Sequence, residues 1–402
     1  MIKPEEAFSM EGDFEKKEDR ARRCADLAIQ WLMGSGIQND NSNLHLEGGI
    51  NAWYDCIEKQ YSFVYPEATG YGITTLVYLY KILNDSIFLE KAKLAANWLI
   101  EHAWDDSTGH FPYKYDLGSN SFIPLAYAFD EGMILNGLVN LYRETGDRRY
   151  EETVNRGAYR LIETWQRDDG AFTPLRSLTA GDTLDKLRKW SRQPGSFLAK
   201  NVIGLLNWHS VINDPILLER AIKACEWALR FQDEEGFFVT STYDHSTHLH
   251  AHCYSAEGLW VAGKLLGEEK YLDAAAKATK WALDNQLPNG GIPRIYRNGQ
   301  FISAERTDII AQTVRLGVLM ISEGALAETY LKNIERALEQ LLTFQRLEGP
   351  PEEKGGFVFG FQSEGLLAEH VNSCCTLFAL QASILYSQYH QGELNFDPLL
   401  LV

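Results

Sequence analysis

The pentapeptide QRDDG, Gln166 to Gly170, stands between an amphipathic segment and a long Gly-rich segment, and its pattern recurs along the chain. A glutamine followed four positions later by a glycine returns as QDEEG from position 232, QLPNG from position 286 and QRLEG from position 345. The copies are about sixty residues apart, an interval that suits two helices joined to a long loop. Counting the looser relatives at Trp31 to Gly36 and Trp104 to Gly109, the repeat predicts six helical hairpins.

Two kinds of predicted helix alternate between these turns. One kind is apolar on nearly every side, as in TGYGITTLVYLYKIL at 69–83, and such a helix belongs in a core. The other kind is amphipathic, as at 87–102, where Leu94 and Trp98 share one face and Glu90 lies on another. Twelve helices in inner and outer pairs predict an all-α fold, an (α/α)6 toroid. The further inner helices are expected near 129–142, 197–211, 251–266, 308–321 and 371–389.

The Gly-rich segments precede the inner helices, so they fall on one rim of the toroid as long loops or short strands. Long loops on a rigid scaffold commonly carry function, and the pocket is therefore expected inside this rim. Residues 1–12 are predicted to be a flexible leader. Residues 13–402 are predicted to form a single toroid domain, because the repeat runs from end to end.

Charge balance and missing motifs narrow the function. With 38 basic and 55 acidic residues the formal net charge is −17, which disfavours nucleic acid as a partner. No apolar run approaches the roughly 18 residues that a membrane-inserted helix needs, and the N-terminal region lacks a secretory core. A soluble cytoplasmic protein is predicted, with a homodimer left open. Nucleotide, zinc-protease and serine-hydrolase motifs are absent, so no cofactor is predicted.

Two acidic residues begin successive inner helices. Glu67 follows Pro66, and Asp130 precedes a wholly apolar helix. One interpretation is that each carboxylate only complements the positive end of a helix dipole. The functional interpretation is a pair of pocket carboxylates, one protonated and one ionised, as glycoside cleavage requires. Burial and a like-charged neighbour would raise the pKa of one of them and make it the acid.

Four histidines crowd into residues 245–252, and those at positions 248, 250 and 252 would share one side of an extended segment. Zinc binding is one interpretation, but no convincing further ligand is evident, so no metal site is predicted. Hydrogen bonding to sugar hydroxyls or proton transfer is favoured instead. Glu257 follows in an apolar helix, where a lone carboxylate needs a partner such as Arg306 or Lys200.

The turns and the helix-starting carboxylates resemble the six-hairpin toroid superfamily of carbohydrate-active enzymes, over nearly the whole chain. Unsaturated glucuronyl hydrolases carry two carboxylates at the starts of successive inner helices, which is similar to the placement of Glu67 and Asp130. The N-acylglucosamine 2-epimerase and cellobiose epimerase branch uses histidines at the fourth and sixth inner helices. His252 and His370 occupy comparable segments here, and Tyr254 stands three residues before Glu257, where that branch has His-x-x-Glu. Toroidal terpene cyclases resemble the chain in their turns, but it lacks their Asp-rich and zinc-binding sets.

The residues and the resemblance together predict a carbohydrate-active enzyme. The leading hypothesis is a glycoside hydrolase acting on an oligosaccharide or polysaccharide fragment, including one that contains a uronic acid, with Glu67 and Asp130 as the catalytic acid/base pair. One alternative is a sugar epimerase or isomerase in which His252 and His370 exchange a proton. Another is a glycan-binding toroid without catalysis. The residues predicted to bind the substrate are Trp53, Tyr71, Tyr115, Glu131, Arg176, Lys200, Asn201, His248, His250, Glu257, Arg294, Arg306, Asp308 and Asn372.

Overall fold

The computed structural model describes residues 15–40, 45–179, 189–363 and 365–402. The predicted leader, residues 1–12, lies outside these residues. No helix among the described residues is long and apolar enough to cross a bilayer. The α-helices of the described chain, in order, are α1 (Lys17–Gly34), α2 (Pro66–Leu83), α3 (Ser86–Trp98), α4 (Ala128–Thr145), α5 (Arg148–Arg160), α6 (Val202–Ile212), α7 (Pro215–Leu229), α8 (Leu249–Leu266), α9 (Glu269–Asp284), α10 (Thr307–Ser322), α11 (Leu331–Leu342) and α12 (Ser373–Gln391).

The even-numbered helices form an inner ring. Each packs against the next, and α12 packs against α2. The outer helices α3, α5, α7, α9 and α11 directly follow and pack against their inner partners, whereas α1 packs against α12. The helices nearest the two ends of the chain thus make the sixth hairpin and close the ring. The predicted all-α (α/α)6 toroid is confirmed.

Local signals set the ends of these helices. The side chains of Asp85, Asp147 and Asp214 each accept a hydrogen bond from the backbone N–H two residues ahead, at the starts of α3, α5 and α7. The inner helices other than α10 end at residues in the left-handed conformation, such as Asn84 after α2. Between its ends, α2 is buried from Pro66 to Leu79, as its apolar sequence predicts.

The glutamine turns tie each loop to the next outer helix. The Gln166 Nε2 donates to the Gly170 carbonyl at 3.2 Å and to the Arg220 carbonyl in α7 at 2.8 Å. Gly170 has φ +94°, and a Cβ there would lie 2.2 Å from the carbonyl oxygen of Lys223. Only glycine combines this backbone conformation with such a close approach. Gln232 and Gln286 make the same two kinds of bond, to α9 and α11 respectively.

The turn that begins at Gln345 departs from the predicted spacing of four residues between glutamine and glycine. Gln345 donates to the carbonyl of Gly355, not to that of Gly349, and to the carbonyl of Cys24 in α1. Ten residues separate glutamine from glycine here, so the four-residue pattern misplaces the glycine. The first turn has the same longer spacing, and there the two bonds of Gln38 run to Gly48 and to Lys91 of α3.

Short strands lie on the rim where the inner helices begin, as predicted. They are β1 (Trp53–Asp55), β2 (Gln60–Tyr61), β3 (Tyr115–Asp116), β4 (Ser121–Phe122), β5 (Leu125–Tyr127), β6 (Leu175–Ser177), β7 (Thr247–His248), β8 (Ile295–Arg297), β9 (Gln300–Ile302), β10 (Phe361–Ser363), β11 (Leu366–Leu367) and β12 (His370–Asn372). Strand β1 pairs antiparallel with both β2 and β12, which joins the two ends of the ring. Strands β7, β8 and β9 form the other three-stranded sheet. The remaining strands pair two by two, β3 with β4, β5 with β6, and β10 with β11.

Residues 398–402 fill the axis below this rim. The Leu399 carbonyl accepts hydrogen bonds from Asn136 and Asn140 of α4. The Val402 carbonyl accepts one from Lys200 Nζ at 3.0 Å. The ring is therefore packed along its axis, and the open space lies at the rim.

Candidate active site

The starts of the six inner helices meet at the rim end of the axis. The second residue of each helical segment takes an equivalent place, and for α6 the segment begins with the 3-10 turn Ser196–Asn201. Four of these residues line a common cavity. Asp308 adjoins it, with a carboxylate oxygen 3.5 Å from His250 Nδ1, and Cys374 takes the equivalent position in α12. This floor ring consists of Glu67, Phe129, Phe197, His250, Asp308 and Cys374.

An inner chamber of about 360 Å³ stands on the floor ring and adjoins an outer cavity of about 780 Å³. Small-molecule sites commonly have volumes of roughly 300–1,000 Å³. Much of the chamber wall is aromatic, from Tyr65, Tyr113, Tyr127, Phe129 and Tyr254. The passage between the two spaces is formed by the residues that border both, which are Lys189, Trp190, His250, Arg294 and Arg306.

Glu67 and Asp130 both face the inner chamber, and the two residues are only 8% and 6% exposed. Burial raises the pKa of Glu67 to about 7, although Tyr65 and Lys200 favour its ionised form. Burial, the Glu67 charge and the Glu131 charge hold the pKa of Asp130 well above its usual range. The two groups therefore titrate as a pair that retains a proton near neutral pH.

Asp130 also has unmet hydrogen-bonding capacity. Its Oδ2 is buried and has no hydrogen-bond partner among the residues that the structure describes. A buried polar atom of this kind calls for an explanation, and a bound ligand would supply the missing partner.

The fourth residue of four inner helices anchors the loop beside it. Thr69, Glu131, His252 and Thr376 each accept a hydrogen bond from a backbone N–H of that loop. Glu131 accepts from Phe111 and lies 3.2 Å from His110 Nδ1, away from the chamber lining. We call this position the loop anchor.

His252 is the loop anchor of α8, which corrects its predicted place in the pocket. Its Nδ1 accepts from the Phe238 N–H at 3.1 Å, and its Nε2 lies 3.0 Å from the Ala278 carbonyl oxygen. The side chain is 1% exposed, and burial lowers its pKa to about 4. With both ring nitrogens bonded to the backbone, His252 has no atom left for a sugar.

Several predicted residues lie on the rim but line neither the inner chamber nor the outer cavity. His370 pairs with Asp55 between β12 and β1, and its ring packs 5.1 Å from that of Trp53. Asn372 caps α12 by accepting the Cys375 N–H. Two others hold loops: Tyr115 donates to Asn120, and Arg176 donates to the Thr164 carbonyl. His370 thus does not line the chamber that Glu67 and Asp130 face.

A buried ionic cluster lies beneath the chamber. Glu257 binds both Lys200, at 2.8 Å, and Arg315 of α10, and all three side chains are fully buried. The predicted pairing with Lys200 is present, whereas the predicted pairing with Arg306 is replaced by Arg315. Burial lowers the pKa of Lys200 to about 8, against the pull of Glu257.

The neighbours of this cluster also support the floor from below. Lys200 Nζ lies 4.9 Å from the ring centre of Tyr71 and 4.5 Å from that of Tyr254. Asn201 donates to the Ala128 carbonyl at the start of α4. Tyr71, Lys200, Asn201 and Glu257, all predicted to bind substrate, therefore hold the floor in place without lining the chamber.

His250 is the second residue of α8, and its side chain lines the inner chamber. Its Nδ1 lies 2.8 Å from Gln312 Oε1, while Gln312 Nε2 donates to Glu257. Because the Gln312 amide points its N–H group at a carboxylate, its oxygen accepts from His250, so Nδ1 carries the proton and Nε2 is an acceptor. Burial lowers the pKa of His250 to about 4, although Asp308 opposes this shift.

The histidine run is not one extended segment: His248 ends strand β7, whereas His250 and His252 lie in the first turn of α8, so the three side chains diverge. His248 lines the outer cavity, His250 borders both spaces, and His252 is the loop anchor. Asp308 binds Arg306 beside the passage. The sequence prediction missed Tyr65, Tyr127, Phe129, Phe197, Lys189, Gln312 and Cys374. The signal that would have found three of them is the second position of each inner helix.

No family model matches the chain, and no curated protein matches it by sequence. Its likeness to known proteins is structural. A cellobiose 2-epimerase from Bacillus thermoamylovorans has a TM-score of 0.75 and 15% identity, over 91% of this chain and 98% of that one. A D-mannose isomerase has a TM-score of 0.72 and 13% identity, over 92% and 97%.

An unsaturated glucuronyl hydrolase from a Bacillus species, described as responsible for glycosaminoglycan degradation, also shares the architecture. Its TM-score is 0.66 at 14% identity, over 92% of this chain and 97% of that one. The predicted resemblance to carbohydrate-active toroids is thus confirmed at the level of the fold.

Proposed function

We propose that the protein is a glycoside hydrolase that binds one sugar unit of an oligosaccharide or polysaccharide fragment in the inner chamber. The observation that carries the proposal is the pair formed by Glu67 and Asp130. Both carboxylates are buried at the starts of neighbouring inner helices, and both face one space. Glycoside hydrolysis uses two such carboxyl groups, one as acid and one as base or nucleophile.

The surroundings of the pair suggest a division of roles. The pKa of Asp130 is raised by burial and by the Glu67 charge, which favours a proton on Asp130. Tyr65 and Lys200 stabilise the ionised form of Glu67. Asp130 would therefore give its proton to the glycosidic oxygen, while ionised Glu67 would activate water or stabilise positive charge on the sugar ring.

The chamber wall supports a sugar as the ligand. Tyr65, Tyr113, Tyr127 and Tyr254 present flat rings with polar edges, and such rings combine apolar contact with a hydrogen-bonding group. The structural neighbours include proteins named for action on cellobiose, mannose and glycosaminoglycan. A carbohydrate substrate for this chain is favoured by analogy of fold alone, and the chamber residues carry the rest of the argument.

The test is to incubate the protein with a panel of defined neutral and acidic oligosaccharides and to measure the release of new reducing ends. The native protein should cleave at least one of them. Asp130→Asn and Glu67→Gln should each lose that cleavage while circular dichroism and the melting temperature show an intact fold. Undiminished cleavage by Asp130→Asn would remove the basis of the proposal.

A sugar epimerase or isomerase is the second candidate, and His250 is the observation that favours it. The Nε2 of His250 is an unprotonated acceptor beside the chamber, and a base of this kind can remove a proton from a sugar carbon. His252 and His370 would not take part. Deuterium incorporation from solvent into a sugar carbon, without a new reducing end, would select this candidate. Tight glycan binding with neither reaction would select a binding protein.

A further inference from the structure

The passage between the inner chamber and the outer cavity is positively charged, although the protein as a whole carries a net charge of −17. Lys189, Arg294 and Arg306 border both spaces. Arg306 and Arg297 are each paired with an acid, Asp308 and Asp244 respectively. Neither Lys189 nor Arg294 forms a salt bridge with any residue that the structure describes. The passage therefore holds two cations that no acidic side chain in the described part of the chain pairs with.

These cations also crowd one another. Burial and the Arg306 charge lower the pKa of Arg294, although the Asp308 charge opposes this shift. Burial and the charges of Arg192 and Arg306 lower the pKa of Lys189, against the opposing charge of Asp130. Like charges held together in a half-buried place are unfavourable unless an anion joins them. A bound anion would relieve this repulsion.

The two arginines are held in position with unused donors. Arg294 Nη1 donates to the carbonyls of Phe361 and Gln362, at 3.3 and 2.8 Å. The Arg294 backbone is fixed as well, because its carbonyl accepts from Leu249 at the start of α8. The Nε of Arg306 is buried and has no partner among the described residues. Guanidinium donors arranged in this way suit an oxyanion with two or more oxygens.

The cations lie where the inner chamber meets the outer cavity, and they border both spaces. Glu67 and Asp130 line the inner chamber, and the negative charge that this pair carries once ionised disfavours an anionic group close to it. We propose that Lys189, Arg294 and Arg306 form an anion subsite that binds a carboxylate or sulfate group on the sugar unit lying outside the inner chamber. The inference rests on the proposed function and adds to it the substrate class, an acidic oligosaccharide whose charge is held next to the reacting unit. Trp190, which borders the same passage, would stack against that unit.

The test is calorimetric binding to the Asp130→Asn protein, so that affinity is measured apart from turnover. The probes are cellobiose, a cellobiose with one glucuronate in place of a glucose, and a 6-O-sulfated cellobiose. At least one acidic probe should bind about tenfold or more tightly than cellobiose, since hydrogen bonds to charged groups are the stronger ones. The tighter of the two acidic probes identifies the group as carboxylate or sulfate. The preference should shrink as salt is raised.

Arg294→Gln and Lys189→Gln should each reduce the preference for the acidic probe about tenfold and leave cellobiose binding nearly unchanged. Arg176→Gln is the matched control, because Arg176 lies on the same rim and lines neither space. Equal binding of neutral and acidic probes, including no binding of either, would overturn the inference, as would an unchanged preference in Arg294→Gln. Cleavage of a probe by Asp130→Asn would instead count against the proposed hydrolase, so the two failures are distinguishable.

Discussion

Asp130 lies where the charge of Glu67 raises its pKa, although 63 positions separate the two residues in the sequence. The toroid brings them together, because each stands near the start of one of two neighbouring inner helices, α2 and α4. Two carboxyl groups that share a buried space release their protons in separate steps. This relationship is the basis for assigning acid and base roles in the chamber.

Removal of either carboxyl group should abolish turnover but preserve the fold. Asp130→Asn keeps the size of the side chain and removes the acid, so kcat should fall by about 10²–10⁴-fold. Initial rates with the best substrate of the panel measure this effect. A fall of less than about tenfold would mean that Asp130 is not the acid.

The pH dependence of kcat/KM should be bell-shaped. The rate should rise with pH through about 7, as Glu67 loses its proton, and fall at higher pH as Asp130 loses its own. In Glu67→Gln, the fall of any residual activity at alkaline pH should begin at a lower pH than in the native protein. The reason is that the Glu67 charge, which raises the pKa of Asp130, is gone. An alkaline limb that does not move would show that the two groups act independently.

Glu67 should also lower stability at alkaline pH. The pKa of Glu67 in the folded protein, about 7, lies above the ordinary value of 4.5, so the folded state favours the protonated carboxyl group. The contribution of Glu67 to the free energy of unfolding is therefore fully present below pH 4.5 and is lost as the pH rises through 7. Glu67→Gln should therefore be more stable than the native protein at pH 8, by on the order of 3 kcal/mol, with little difference at pH 4. Urea unfolding at the two pH values measures this. Equal stability at pH 8 would mean that Glu67 is not desolvated as described.

The His250 ring should stay neutral and keep one tautomer. Nitrogen-15 NMR of labelled histidine should show a protonated Nδ1 and an unprotonated Nε2, with no titration until the pH falls to about 4. Gln312→Met should abolish the tautomer preference, because methionine cannot accept the Nδ1–H. A His250 that titrates near its usual pKa in the native protein would contradict the described environment.

The corrected glycine turn can be tested with a matched pair of variants. Gly355 and Gly349 both have positive φ, at +95° and +121°. A Cβ at Gly355 would lie 2.1 Å from the Leu27 carbonyl oxygen, whereas the nearest contact at Gly349 is 3.5 Å, to Glu353. Gly349→Ala should cost about 1–2 kcal/mol of unfolding free energy from the backbone alone, and Gly355→Ala clearly more. If Gly349→Ala were more destabilising than Gly355→Ala, the four-residue pattern predicted from the sequence would be supported instead.

The repeat and the helix patterns predicted the fold because both follow from local chemistry. Glutamine turns, apolar inner helices and amphipathic outer helices recur within each unit, and closure follows from their number. Glu67 and Asp130 were predictable for the same reason, since polar residues at the start of an apolar helix are visible in the sequence. The partners Gln312 and Arg315 were not, because they come from a different inner helix, α10, and only the packed ring brings them to His250 and Glu257.

The error over the histidines came from a shift of two residues. The sequence placed the start of the fourth inner helix at Ala251, whereas α8 begins at Leu249. That shift makes His250 the second residue, which lies on the floor ring, and His252 the fourth, which is the loop anchor. Sequence periodicity locates a helix but not its first residue, and here the first residue decides which histidine faces the chamber.

The masses of the products distinguish hydrolysis from epimerisation and from elimination. An acidic disaccharide is incubated with the native protein and with Asp130→Asn, and the masses of the products are measured by mass spectrometry. Hydrolysis by Glu67 and Asp130 predicts two monosaccharides whose combined mass exceeds that of the disaccharide by one water, and no such products from Asp130→Asn. A product of unchanged mass, or a pair of fragments without the added water, would contradict hydrolysis by Glu67 and Asp130.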